Sequence, residues 1–92
     1  MNTEQPQLTR GQQVMSVSFN PGQREDVAAI KQIFADAFDA IDKWVNLKLP
    51  MNPATGFEEQ AKQATADVHH LAAIAKTNLE TAQMYAVKAI TR

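Results

Sequence analysis

The chain has no cysteine. That absence excludes disulfide frameworks, thiolate zinc sites and thiol nucleophiles, and leaves the adjacent His69 and His70 as the side chains that titrate near neutral pH. Long hydrophobic runs are also missing: nothing approaches the roughly 18 apolar residues of a spanning helix, so no membrane partner is expected. The opening segment alternates Gln, Thr, Asn and Ser with single apolar residues and does not resemble a signal peptide, which predicts a protein that stays in the cytoplasm. There is no basic excess, with nine Lys and Arg against ten Asp and Glu. Proteins that wrap long nucleic acid gain affinity by neutralising many phosphates, so that class is excluded while a ligand with only a few phosphates stays open.

Glycine is scarce and tryptophan and tyrosine occur once each, whereas 15 of the 92 residues are alanine. Sheets favour β-branched and aromatic residues and helices favour alanine, so the expected fold class is all-α. Residues 1–20 read as a short N-terminal arm, frayed to about Thr9, whose Val14, Met15, Val17 and Phe19 form an apolar patch that should dock. Residues 21–92 read as an antiparallel helical hairpin with helices at about 24–48 and 56–91. Asn20-Pro21 marks the entry to the first helix, and Glu25 and Asp26 complement the positive end of its dipole.

Val27, Ile30, Phe34, Ala37, Ile41, Trp44 and Lys48 recur at spacings of three and four, one face of a helix. Beside this seam runs a second column, Arg24, Lys31, Phe38 and Val45. Pro50 and Pro53 then force a rigid turn, and Thr55 with Glu58 fits a capping box. In the second helix Ala61, Ala64, Val68, Leu71, Ala75, Leu79, Ala82, Ala86 and Ala89 mark a small-residue seam, with Ile74, Met84, Val87 and Ile90 off it. A helix apolar on more than one face needs more than one neighbour, so homo-oligomerisation is expected to complete the fold.

Little in the sequence supports catalysis. His69 and His70 are neighbours and diverge by about 100° on a helix, so no metal site is expected. Asp36, Asp39 and Asp42 read as a solvated acidic face. No phosphate loop, Ser-His-Asp pattern or His-Glu-x-x-His motif is present, and no cofactor is implied. The cations beside apolar residues carry more information. Lys31 follows Ile30, with Arg24 before it and Phe19 across the Pro21 turn, and a ring near an ammonium group suits a base stacked over a phosphate. The same Lys31 stem could instead cover the seam with its charge in solvent. Tyr85, Lys88 and Arg92 fall at i, i+3 and i+7, Thr77, Thr81, Met84 and Lys88 share a neighbouring face, and Lys76 and Glu80 form an i,i+4 pair.

Two stretches carry a resemblance: Phe19-Asn20-Pro21 followed by Val27, Ile30 and Lys31, and Leu79-Glu80-x-Ala82-x-Met84-Tyr85-Ala86-Val87-Lys88-Ala89-Ile90-Thr91. They resemble the small phage hairpin proteins that sequester cyclic-oligonucleotide signals of the antiphage system CBASS, whose hairpin domain also occurs in phage inhibitors of Thoeris defence. The resemblance implies a homohexamer that holds cyclic dinucleotides between protomers and cyclic trinucleotides in separate pockets. It implies a non-enzymatic anti-CBASS sponge in the host bacterial cytoplasm. It points to Ile30-Lys31 for phosphate binding and to an aromatic residue for base stacking. The family's spacing puts that residue near Ser16, where this chain has no ring, and Phe19 is the nearest substitute. Phe19, Arg24, Lys31, Tyr85 and Lys88 are the implied dinucleotide site. Lys76-Thr77, in place of the family's Arg-Thr, with Glu80 and Thr81 are the implied trinucleotide site. The alternative reading is a helical structural or regulatory phage protein acting through protein-protein contacts, and a small hydrolase is a more distant one.

Overall fold

The computed structural model describes residues 7–49 and 53–92. It contains three helices in chain order, α1 at Arg10–Val14, α2 at Glu25–Lys48 and α3 at Glu58–Ile90, and no strand among the described residues. The all-α hairpin expected from the sequence is the observed fold. Arg24 at the start of α2 donates from Nη2 to the carbonyl of Ile90 at the end of α3, 2.9 Å away, which ties the two ends of the antiparallel pair together. Residues 1–6 and the Pro50-Met51-Asn52 part of the expected turn lie outside the described residues.

The arm is more ordered than a docking patch alone would require. Thr9 caps α1 by accepting from the Gln12 backbone at 3.0 Å, while the Gln12 side chain accepts from the Thr9 backbone at 2.8 Å. α1 then lies on α2 so closely that Gly11 is buried against it. A Cβ on Gly11 would overlap the Ala35 carbonyl oxygen and come within 2.7 Å of Asp39 Oδ1, so only glycine permits the approach. Its amide donates to that carboxylate at 2.7 Å.

Behind α1 the chain packs Met15, which is 1% exposed, against Ala35 and Phe38, with Val14, Val17, Phe34 and Leu79 around them. The column of Lys31 and Phe38 is therefore the buried face of α2, together with Val27 and Ala35, because the arm covers it. Trp44, at the far end of the expected seam, is exposed.

Several local expectations are corrected. In α3 the expected seam holds in part: Ala61, Ala64, Val68, Ala75, Leu79 and Ala86 are half-buried, whereas Leu71, Ala82 and Ala89 are exposed and the fully buried residues are Ala72 and Gln83. The helices packed against α3 cover a stripe narrower than this seam, so positions at its edges stay exposed. The first α3 turn has Phe57 at its N-cap with no side-chain cap, and the Glu58 carboxylate accepts from the Gly56 amide at 3.1 Å instead of completing a box with Thr55. Two of the three acidic residues of α2 are not simply solvated, since Asp39 holds Gly11 and Asp42 pairs with Lys76, while Asp36 is exposed as expected and accepts from Gln32 at 2.7 Å.

The described chain extends 57 × 42 × 12 Å with a radius of gyration of 17.5 Å. A compact domain of this length has a radius near 12 Å, and 12 Å is about the diameter of one helix with its side chains. The described chain is thus a single layer of helices. Ile33, Trp44, Leu47, Leu71, Met84 and Tyr85 are each more than half exposed on its surface.

Candidate functional site

The chain between α1 and α2 turns sharply. Ser16 adopts a left-handed conformation with φ 54°, which reverses the backbone and aims its carbonyl inward. Lys31, from the second turn of α2, reaches that carbonyl: its ammonium donates to Ser16 O at 3.0 Å and also to Phe19 O. The lysine is 6% exposed, a burial compatible with a charge only because carbonyl dipoles and the Phe19 ring surround it. Nζ sits 5.4 Å from the centre of that ring. Neither sequence alternative for Lys31 included this role, since its partners are backbone atoms of the arm and leave no mark in side-chain spacing.

Beside the turn, a groove of about 470 Å³ opens between the arm and the C-terminal half of α3. Ser16, Phe19 and Lys31 line one wall and Glu80, Gln83, Met84 and Lys88 line the other. Three of the five expected dinucleotide residues, Phe19, Lys31 and Lys88, therefore meet in one place. Arg24 and Tyr85 do not line it. The Arg24 guanidinium is engaged by Asp26, at 3.0 and 2.6 Å, and by the Ile90 carbonyl. That hydrogen bond, with the charge attraction behind it, holds the Arg24 pKa above its ordinary value, and the same bond lowers that of Asp26. Tyr85 is 67% exposed on the outer side of α3, because two positions along a helix rotate a side chain by about 200° from Gln83.

A second groove, of about 480 Å³, lies between α2 and α3 nearer the middle of the hairpin. Lys76, Thr77 and Glu80 line it, as do Asp42, Phe38 and His69. Lys76 pairs with Asp42 across the two helices, not with Glu80 along its own, and lies 5.1 Å over the Phe38 ring. Thr81 is outside the lining and donates its hydroxyl to the Thr77 carbonyl at 3.2 Å. Glu80 borders both grooves, so the two expected sites share a wall.

Sequence reasoning missed Gln83. It is 7% exposed, and the one signal that could have found it is a polar residue four positions after Leu79 on the inward face. It also missed α1, although Thr9 and Gln12 are a readable capping box.

The family model described as the Acb2/Tad1 hairpin domain matches residues 11–91. The chain belongs to this family. The Acb2/Tad1 hairpin is the domain of phage anti-CBASS and anti-Thoeris sponges, so the chain is an anti-defence family member whose relatives act by binding. The matched span takes in α2, α3 and nearly all of α1, so it includes the second half of the arm. No curated protein and no solved structure matches the chain. No helix among the described residues is long and apolar enough to cross a membrane.

Proposed function

We propose that the protein is a non-enzymatic sponge for cyclic oligonucleotide messengers, which binds cyclic dinucleotides in the groove between the arm turn and α3 and so withholds the activator of CBASS-type immunity in the host bacterial cytoplasm. The observation that carries this reading is the meeting of Lys31, Lys88 and the Phe19 ring in one groove. An ammonium has three donors, and two of those of Lys31 are used by carbonyls, leaving one for a phosphate oxygen. Lys88 adds a second cation on the opposite wall, and Phe19 and Met84 supply surface on which a base can stack.

A cyclic dinucleotide has near two-fold symmetry, and a two-fold interface presents every side chain twice. Two protomers facing each other across this groove would offer both phosphates the same cations, with Arg24 and Tyr85 available from the neighbouring copy. Six chains are the expected assembly. The second groove, with Lys76, Thr77 and Glu80, is the proposed cyclic trinucleotide site, and Thr81 supports it by holding the Thr77 carbonyl. Titration calorimetry with cyclic di-AMP, cyclic GMP-AMP and cyclic tri-AMP tests the reading. Saturable binding supports it, and no heat or retention with any of the three overturns it.

A further inference from the structure

Gln83 is the most deeply buried polar residue of α3, 7% exposed, and it lines the first groove. Its carboxamide has no hydrogen-bond partner among the described residues, yet none of its polar atoms is sealed from solvent. Solvent therefore reaches the carboxamide of a residue that lines the groove, which leaves its donor and acceptor open to a ligand there. The surroundings define what it can meet there. Lys31 and Lys88 already supply charge for phosphates, and Phe19 and Met84 supply stacking surface. Gln83 adds a donor and an acceptor held side by side in one plane, a pattern that a phosphate, which only accepts, does not use in full. A base edge with an amino donor beside a ring-nitrogen acceptor does, and glutamine pairs with adenine in this bidentate way. Glu80, an acceptor on the same wall, also favours an amino group.

We propose that Gln83 is a specificity-determining residue, which reads the amino-bearing edge of an adenine base held in the groove. The inference rests on the sponge reading and deepens it. The test is a cycle of two proteins and two ligands: the natural chain and Gln83→Met, each titrated with cyclic di-AMP and with its analogue lacking the 6-amino groups. Methionine keeps the length and helix preference of glutamine, and circular dichroism with light scattering checks that fold and assembly persist. In the natural chain, losing the amino groups should weaken binding about tenfold or more; in the variant the two ligands should bind within about twofold. Gln83→Glu, which keeps an acceptor, should retain a preference for the amino ligand. Equal discrimination by the natural chain and Gln83→Met overturns the proposal while leaving the sponge intact. Failure of the natural chain to bind either ligand overturns the proposal, and the sponge reading falls with it when cyclic GMP-AMP and cyclic tri-AMP also fail to bind.

Discussion

The Lys31 ammonium donates to the Phe19 carbonyl and lies 5.4 Å from the centre of the same residue's ring, so one cation holds both the backbone and the aromatic face of the arm turn. A ligand phosphate that reaches Lys31 therefore meets a group already fixed in place. Preorganisation of this kind lowers the entropy lost on binding. It also couples the site to the docking of the arm.

That coupling gives the first prediction. Lys31→Met keeps the buried stem but loses the charge and its contacts with Ser16 and Phe19. Each charge-assisted contact is worth about 1.5 to 3 kcal/mol, so two in a two-fold site predict at least a hundredfold loss of cyclic dinucleotide affinity. Hydrogen exchange at residues 16–19 should speed up while α3 stays protected. Unchanged affinity would place the phosphate contact elsewhere.

Gly11→Ala should loosen the arm. The added methyl meets the Ala35 carbonyl and Asp39, and overpacking of this sort costs about 1 to 3 kcal/mol. Thermal melting read by circular dichroism should show a lower midpoint than the natural chain. An unchanged melt would mean that α1 does not contribute to the stability of the folded unit.

Lys76→Glu should separate the grooves functionally. It places a carboxylate beside Asp42 and removes the cation from the second groove. Cyclic tri-AMP binding should fall below detection while cyclic di-AMP affinity changes less than about threefold, since Lys76 does not line the first groove. Loss of both ligands from a correctly assembled protein would indicate a single site.

The Arg24 and Asp26 pair sets a pH dependence. Its hydrogen bond lowers the folded Asp26 pKa below 3.8. The contribution is present above the unfolded value and is lost as pH falls through the lower folded one, so the tie between Arg24 and Ile90 should weaken only when pH falls below the ordinary carboxylate range. A carboxyl titration by nuclear magnetic resonance should give Asp26 a depressed midpoint that Arg24→Gln returns toward the ordinary range. A normal midpoint in the natural chain would show that the pair does not persist in solution.

Much of the hairpin was legible because α2 and α3 are long and their apolar spacing is helical over many turns. The inward face of α2 was legible only in part. Lys31 and Phe38 stood out as a column, but their burial depends on the five-residue α1, too short to show a period. The grooves follow from the same cause: Phe19 and Lys31 are twelve residues apart in sequence and meet because backbone carbonyls of a left-handed turn accept from the lysine. Gln83 stayed hidden because it interrupts an alanine-rich face where pattern reading assumes an apolar residue.

A layer 12 Å thick with eight large apolar side chains more than half exposed should not remain single. Light scattering on dilute protein should give an oligomer, with six chains expected. A stable folded monomer would contradict the assembly on which the two-fold site depends.

The most direct test of sequestration is recovery of the messenger. The protein is incubated with a cyclic dinucleotide, freed of unbound ligand by filtration, heated to denature it, and the released nucleotide is identified by chromatography. The expected result is a depleted filtrate and intact cyclic dinucleotide in the heated fraction. A linear product after heating, or a filtrate that still contains all the messenger, would contradict the sponge.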